Sequence, residues 1–331
     1  MSAMPKLKAR HIPILATVVV FVLLYAAASL YFPNFFSLRV FANLFIDNAF
    51  LGIVAVGMTF AILSGGIDLS VGSVVACTGI VLSKLVTQYG YDPFFAIALV
   101  LAAGMIFGAV MGCFIAFYDL PPFIVTLAGM FFARGLSQII SLESIPLNSP
   151  ALMTVANFGI PLSDRVNFPF IAIVLVVSVI AGTLVAQYTK FGRCVYAIGG
   201  NEQSALMMGL PVRRTKIGIY ALSSFFATLG GVVYTLYTFS GYSLSGTGLE
   251  LDAIASVVIG GTLLSGGVGY LPGTLLGVMI QGVIQTFISF DGTLNSWWTK
   301  IIIGALLFVF ILLQTWISKS ARFRRSAARQ G

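Results

Sequence analysis

Asp68 is a carboxylate within ILSGGIDLSVGS (62–73), in an apolar part of a very apolar chain. A carboxylate at the centre of a bilayer costs about 2.5–3.5 kcal/mol on insertion scales, so such a residue faces a cavity or a polar partner. One interpretation is that Asp68 caps a helix beginning near Leu69 at the cytoplasmic border, accepting from backbone N–H groups. The other is that Asp68 lines a path for a polar solute, together with the hydroxyls of Ser64 and Ser70.

The LSGG of this stretch also begins the signature loop of ABC-type ATPases, which raises the question of ATP hydrolysis. No lysine in the chain follows a glycine, so the phosphate-binding pattern GxxxxGK[ST] is absent. The only histidine is His11, in a basic N-terminal segment, which excludes His-based acid–base catalysis and most metal sites. We therefore expect no enzymatic activity, no bound cofactor and no metal.

LSGGIDLSVGS (63–73) aligns without a gap on LSGGVGYLPGT (264–274), 201 residues later. In each copy, glycines and a hydroxyl residue interrupt an apolar segment, and Pro272 reinforces the second break. The freed backbone groups cannot be satisfied by lipid, so they must be buried in protein or line an aqueous cavity. Paired broken helices in two halves of a chain are typical of a transport pathway.

Two acids, Glu250 and Asp252, open the apolar segment before the second copy. Acids favour the positive end of a helix macrodipole, which explains their position without a ligand. They also suit an entrance that meets a polar ligand or a delivery protein. Gln281 or Gln285 adds an amide, and we include Gln281 among the candidate pathway residues.

Composition makes lipid the main solvent of the chain. Of its 331 residues 59% are hydrophobic and 8% charged, with a mean hydropathy of +1.02. Ten apolar stretches predict an all-α polytopic membrane protein of about ten transmembrane helices (eight to ten), forming a single transmembrane domain over 1–331. They lie near 12–32, 46–64, 70–86, 93–117, 122–140, 168–188, 217–239, 251–268, 271–289 and 297–317. The first stretch is too long for a signal-peptide core, so we expect it to be an uncleaved helix.

Basic residues indicate the orientation, because Lys and Arg are retained on the cytoplasmic side. Thirteen of eighteen lie in 1–11, 190–216 and 319–329. A ten-helix count puts all three groups on one face, so both termini and the 189–216 loop are expected in the cytoplasm. The net charge of +8 then reflects topology, with no nucleic-acid partner.

Two loops and one glycine row complete the prediction. Asn201 begins a short helix in NEQSALMMGLP, which stops at Gly209 and displays apolar side chains that favour a soluble partner. The segment 141–168 is proline-punctuated, which favours an ordered lid or docking surface. Glycines at four-residue spacing in GMIFGAVMG (104–112) predict close helix packing.

Four segments resemble, in order, the membrane-spanning permeases of the ribose-type branch of bacterial ABC sugar importers. The resemblance covers essentially the whole chain and rests on NAFLGIVAVGMTFAILSGGIDLSVGS, TLAGMFFARG, FGRCVYAIGGNEQSALMMGLP and ELDAIASVVIGGTLLSGGVG. Two further segments, SLESIPLN and FDGTLNSWWTK, look like the permease subunit of the galactofuranose importer.

The resemblance implies a subunit in the bacterial inner membrane that moves a monosaccharide to the cytoplasm. Its implied partners are a second permease subunit, two copies of an ATPase that holds ATP and magnesium, a periplasmic sugar-binding protein and membrane lipid. Residues 201–211 match the coupling helix that docks on the ATPase. The implied coupling residues are Asn201, Glu202, Ala205, Leu206, Met207, Met208 and Gly209.

Two other functions stay open. An ion-gradient-driven secondary transporter would need buried acids, for which Asp68 and Asp252 are candidates. An intramembrane enzyme acting on a lipid-linked sugar would need a carboxylate pair, a histidine or a metal constellation, none of which the sequence offers.

Overall fold

The chain folds into a bundle of helices, described in a computed structural model for residues 12–163, 166–295 and 297–330. Within these ranges the α-helices are α1 (Ile12–Tyr31), α2 (Leu38–Asp47), α3 (Ala49–Leu63), α4 (Val71–Ser83), α5 (Pro93–Phe117), α6 (Pro122–Ile140), α7 (Pro150–Asn157), α8 (Phe170–Tyr188), α9 (Lys190–Gly200), α10 (Glu202–Met207), α11 (Val212–Thr238), α12 (Leu249–Ile259), α13 (Leu271–Asp291) and α14 (Trp297–Gln330). A π-helical turn (Lys84–Gln88) continues α4. The strands are β1 (Ile145–Pro146), β2 (Gly159–Ser163), β3 (Val166–Pro169) and β4 (Ser240–Gly241).

Every predicted apolar stretch contains a helix, and the number of candidate membrane spans falls at the lower end of the predicted eight to ten. Seven helices of the described residues are long and apolar enough to cross a membrane, and α2 with α3, bent by 56°, makes an eighth. The stretch at 251–268 yields only α12, of 11 residues, because glycines end it at Ile259. The apolar part of α14, Trp297–Leu313, is also too short by this measure.

The centre of the bundle is formed by α3 and α11. Every residue of α3 except Phe50 is buried, as expected for a helix that is apolar all round and enclosed by others. Helix α11 packs against α3, α4 and α5. Its first residue, Val212, follows α10, so we call that end of the bundle the α10 end and the end near Thr238 the opposite end.

The glycine row of α5 packs against α11, as its spacing predicted. A Cβ at Gly108 would lie 2.6 Å from Cβ of Ser224, and a Cβ at Gly112 would lie 2.7 Å from Cα of Ile217. These are closer than side chains approach, so the two backbones touch with only hydrogen between them. The row is scaffold, and it fixes α5 along the central helix.

The described residues of the 141–168 segment form regular elements at the opposite end. It contains α7 and two pieces of antiparallel pairing, β1 with β4 and β2 with β3. Thr87 of the π-helical turn donates its hydroxyl to the carbonyl of Pro146 and holds the segment against α4. The expected order is present, and docking at this surface stays a prediction.

Candidate functional site

The chain breaks its helices at both copies of the glycine repeat. Helix α3 ends at Leu63 and α4 begins at Val71, while α12 ends at Ile259 and α13 begins at Leu271. Backbone groups freed by the breaks find partners inside the protein: in the first break the N–H of Gly66 donates to the Ala61 carbonyl, and in the second the N–H of Leu263 donates to the Val268 carbonyl. Both breaks therefore meet the condition for irregular backbone within a membrane.

The two breaks touch each other, which the sequence did not show. The N–H of Gly267 donates to the carbonyl of Leu63 at 2.8 Å. A Cβ on Gly266 would lie 2.8 Å from the backbone nitrogen of Gly65, and one on Gly199 would overlap the Leu63 carbonyl oxygen. We call this contact of Leu63, Gly65, Gly199, Gly266 and Gly267 the glycine junction.

The glycine junction lies beside the predicted coupling helix. Gly199 is the penultimate residue of α9, and Asn201, two positions later, is the N-cap of α10. Helix α9 itself was missed in the sequence, because its two terminal glycines and polar start did not suggest a helix. One short segment thus connects α10 to both breaks through main-chain contacts.

Asp68 is fully buried in the first break and accepts three hydrogen bonds. Its Oδ1 accepts from the N–H and the hydroxyl of Ser70, at 3.0 and 2.6 Å, and its Oδ2 accepts from the Ser223 hydroxyl at 2.7 Å. Helix α4 begins at Val71, two positions after the predicted start near Leu69, with Ser70 as its N-cap. Asp68 still accepts a backbone N–H at this helix start, and in addition it ties the break to α11.

The two serines predicted beside Asp68 are engaged locally. Ser64 donates its hydroxyl to the Ala61 carbonyl at the end of α3, and Ser70 donates to Asp68. Among the described residues, no lysine or arginine forms an ion pair with Asp68. The break is therefore held by hydrogen bonds between neutral donors and a carboxylate.

Two other predicted pathway residues meet in a cavity at the opposite end. Gln281 donates its side-chain N–H to the Asp252 carbonyl at 2.9 Å, and the Asp252 carboxylate pairs with Lys300. Both residues line a cavity of about 810 Å³ between α2, α3, α11, α12, α13 and α14. Gln285, the other amide considered from the sequence, also lines the cavity. The sequence did not reveal further polar lining residues, because they come from separate helices; they include Asp47, Tyr237, Trp297 and Lys300.

Glu250 lies apart from that cavity, against the first turn of α4. A Cβ at Gly72 would overlap its Oε2, and this oxygen is buried with no hydrogen-bond partner among the described residues. Arg134 interacts electrostatically with Glu250, and its guanidinium donates to the carbonyls of Ser243 and Ser245. The structure thus separates Glu250 from Asp252 and Gln281.

Helix α10 begins and ends with defined caps. The side chain of Asn201 accepts from the N–H of Ser204 at 2.7 Å, which satisfies one free donor of the first turn. At the other end, Gly209 has a positive φ of 73°, its N–H donates to Leu206, and the N–H of Leu210 donates to Ala205. This pair of bonds is a Schellman motif, in which glycine carries the left-handed conformation at least cost.

One face of α10 is anchored and the other is exposed. Ala205 is fully buried against Ile198 and Val212, so it holds the helix in place and offers no surface to a partner. Glu202 forms an ion pair with Lys216 of α11. The outward side chains are Leu206, Met207 and Met208, which are 53%, 87% and 67% exposed.

Apolar spans interrupted by two touching breaks, with a polar cavity at one end and an anchored surface helix at the other, define a polytopic membrane permease. The model of one family, described as branched-chain amino acid transport system / permease component, matches residues 40–311. The chain belongs to this family.

The relatives among known proteins cover nearly the full length. The chain is 55% identical over 305 residues to the inner membrane ABC transporter permease protein YjfF of Escherichia coli (strain K12), covering 92% of each chain. It is 41% identical to the fructose import permease protein FruG of Bifidobacterium longum (strain NCC 2705), over 93% of this chain and 92% of that protein. It is 34% identical to the ribose import permease protein RbsC of E. coli (strain K12), over 90% and 92% respectively. No solved structure matches. The resemblance to ribose-type permeases is confirmed by these relatives.

Proposed function

We propose that this chain is the membrane-spanning subunit of an ATP-driven importer that passes a monosaccharide from a periplasmic binding protein to the cytoplasm. Relatives at 41% and 34% identity are named for fructose and ribose import. Because the relative at 55% identity is named an inner membrane protein, we place this chain in the bacterial inner membrane as well. The α10 end and both termini then face the cytoplasm.

The exposed apolar face of α10 is the observation that carries this proposal. Leu206, Met207 and Met208 form an exposed apolar patch that a docked protein would bury. Such patches mark interaction sites. The chain has no phosphate-binding loop, so ATP and magnesium belong to a partner ATPase that docks here. A second permease subunit and a binding protein complete the proposed assembly.

Replacing Leu206, Met207 and Met208 together by serine should release the ATPase. Burying one such side chain contributes about 1.5–3 kcal/mol, so losing three should weaken docking by about 100-fold or more. The measurement is recovery of the ATPase with a tagged chain extracted in mild detergent from its native host. Leu142→Ser is the control, because Leu142 is 72% exposed at the opposite end of the bundle. Full recovery of an ATPase with the triple variant would contradict the proposed docking surface.

A gradient-driven transporter is the alternative. It would need buried acids that can bind an ion, and the two candidates already have partners within the protein. Asp68 accepts three hydrogen bonds and Asp252 pairs with Lys300. With ATP maintained, uptake should continue after an uncoupler is added. Uptake by the isolated chain in vesicles without ATP would instead support the gradient-driven mechanism.

For the cargo we propose galactofuranose. The segment FDGTLNSWWTK (290–300), one of the two on which that resemblance rests, contributes Gly292, Trp297 and Lys300 to the cavity at the opposite end. Uptake of labelled galactofuranose by the intact importer should therefore be stronger than uptake of ribose or fructose. Stronger uptake of either of these sugars would assign a different cargo.

A further inference from the structure

The cavity at the opposite end combines groups that a sugar ring requires. Its volume of about 810 Å³ lies within the range of about 300–1,000 Å³ typical of small-molecule sites. Aromatic rings come from Tyr234, Tyr237 and Trp297, and side-chain amides from Asn48, Gln281 and Gln285. The lining is thus a mixture of flat apolar surfaces and neutral hydrogen-bonding groups.

The charges in the cavity disfavour an anionic ligand. Lys300 is the only lysine or arginine among the described lining residues, and its ammonium is already paired with Asp252. Asp47 leaves the lining with one uncompensated carboxylate, which accepts from the Tyr237 hydroxyl at 3.1 Å. A free amino acid would bring a carboxylate that finds no unpaired cation here, whereas a sugar hydroxyl can donate to Asp47.

One fixed side chain and two that are unengaged among the described residues line this space. Gln281 is 3% exposed, and its amide N–H is fixed by the Asp252 carbonyl, which leaves its carbonyl oxygen as an acceptor. The side chain of Gln285, one turn further along α13, has no hydrogen-bond partner among the described residues and offers both a donor and acceptors. Trp297 is 72% exposed at the cavity and presents an indole surface.

We propose that this cavity is a saccharide-binding site within the permease itself, receiving a neutral monosaccharide on Trp297 with its hydroxyls bonded to Asp47 and Gln285. The choice of a sugar rests on the proposed function, and the position of the site rests on the lining residues. Because the cavity is larger than one monosaccharide, water shares it and binding is weak. The site holds sugar between its release by a binding protein and its passage inward.

The test uses tryptophan fluorescence of the full-length purified chain, which has three tryptophans. A chain carrying W298F and W316F keeps only Trp297, which lines the cavity; a chain carrying W297F and W316F keeps only Trp298, which is not among the lining residues. Titration with D-galactose or D-ribose should give a saturable change in the first chain and none in the second. L-leucine should give none in either.

Gln285→Leu in the Trp297-only chain should raise the sugar dissociation constant by about three- to tenfold, the worth of one neutral hydrogen bond. Gln88→Leu is the control, because Gln88 is exposed in the π-helical turn, away from the cavity. No saturable change with either sugar at the highest soluble concentration, an equal change in the Trp298-only chain, or saturation by leucine alone would overturn the proposal. Loss of ATPase docking leaves these titrations unchanged, so the two proposals fail separately.

Discussion

Gly199→Ala should lower ATP-driven uptake by about tenfold or more, whereas Gly200→Ala should leave it near the wild-type rate. A Cβ at Gly199 would overlap the Leu63 carbonyl oxygen and lie 2.5 Å from the Gly267 nitrogen, whereas nothing lies within 4 Å of a Cβ at Gly200. Overpacking costs about 1–3 kcal/mol, a factor of about 5 to 150 in the population of the native arrangement. Both residues end α9, so alanine changes helix propensity in the same direction at both.

The measurement is sugar uptake together with ATP hydrolysis by the reconstituted importer. In the Gly199→Ala variant, hydrolysis should continue while uptake falls, because α10 and its exposed face are unchanged. Gly200→Ala shows whether replacing a glycine at the end of α9, without a clash, is enough to lower uptake. Equal uptake by both variants would show that the glycine junction plays no part in coupling.

Asp68→Leu should give the largest loss of stability among single changes in the first break. It leaves the hydroxyls of Ser70 and Ser223 and the Ser70 N–H without their acceptor in a fully buried position. Each unsatisfied buried donor costs about 1–3 kcal/mol, and interhelical hydrogen bonds in membranes average about 0.6 kcal/mol. We expect a total loss of about 2–4 kcal/mol, measured by thermal unfolding in detergent.

Asp68→Asn separates the hydrogen bonds from the charge. Asparagine keeps one acceptor oxygen, and the Ser223 hydroxyl can rotate to accept from the new amide. This variant should therefore retain most of the stability and most of the ATP-driven uptake. Loss of uptake in Asp68→Asn with stability retained would mean that the ionised carboxylate itself is needed, as a gradient-driven transporter requires.

The sequence predicted the long apolar helices and both breaks, but not α9. Long apolar runs can only be helices in lipid, since every backbone group must be satisfied within the segment. The first LSGG copy predicted where α3 would end, the second lies within the break between α12 and α13, and NEQSALMMGLP predicted a capped helix at 202–207. These features are local, because the residues that decide them are neighbours along the chain.

The glycine junction and the cavity could not be predicted, because they depend on contacts between segments that are distant in the sequence. The bond from Gly267 to Leu63 joins residues about 200 positions apart, and the cavity takes its lining from six helices. Glu250 and Asp252, only two positions apart, face different surroundings, because successive side chains on a helix point in different directions. The number of spans is below ten partly because glycines shorten α12, although the stretch is apolar throughout.

The glycine junction has a mechanical consequence. Side chains yield to a displacement by changing rotamer, and main-chain atoms in direct contact have no rotamers to change. The junction is therefore stiff, and a small displacement of α10 is transmitted to both breaks. The bending that transport requires must then occur at the backbone torsions of residues 64–70 and 260–270, which lie outside the helices.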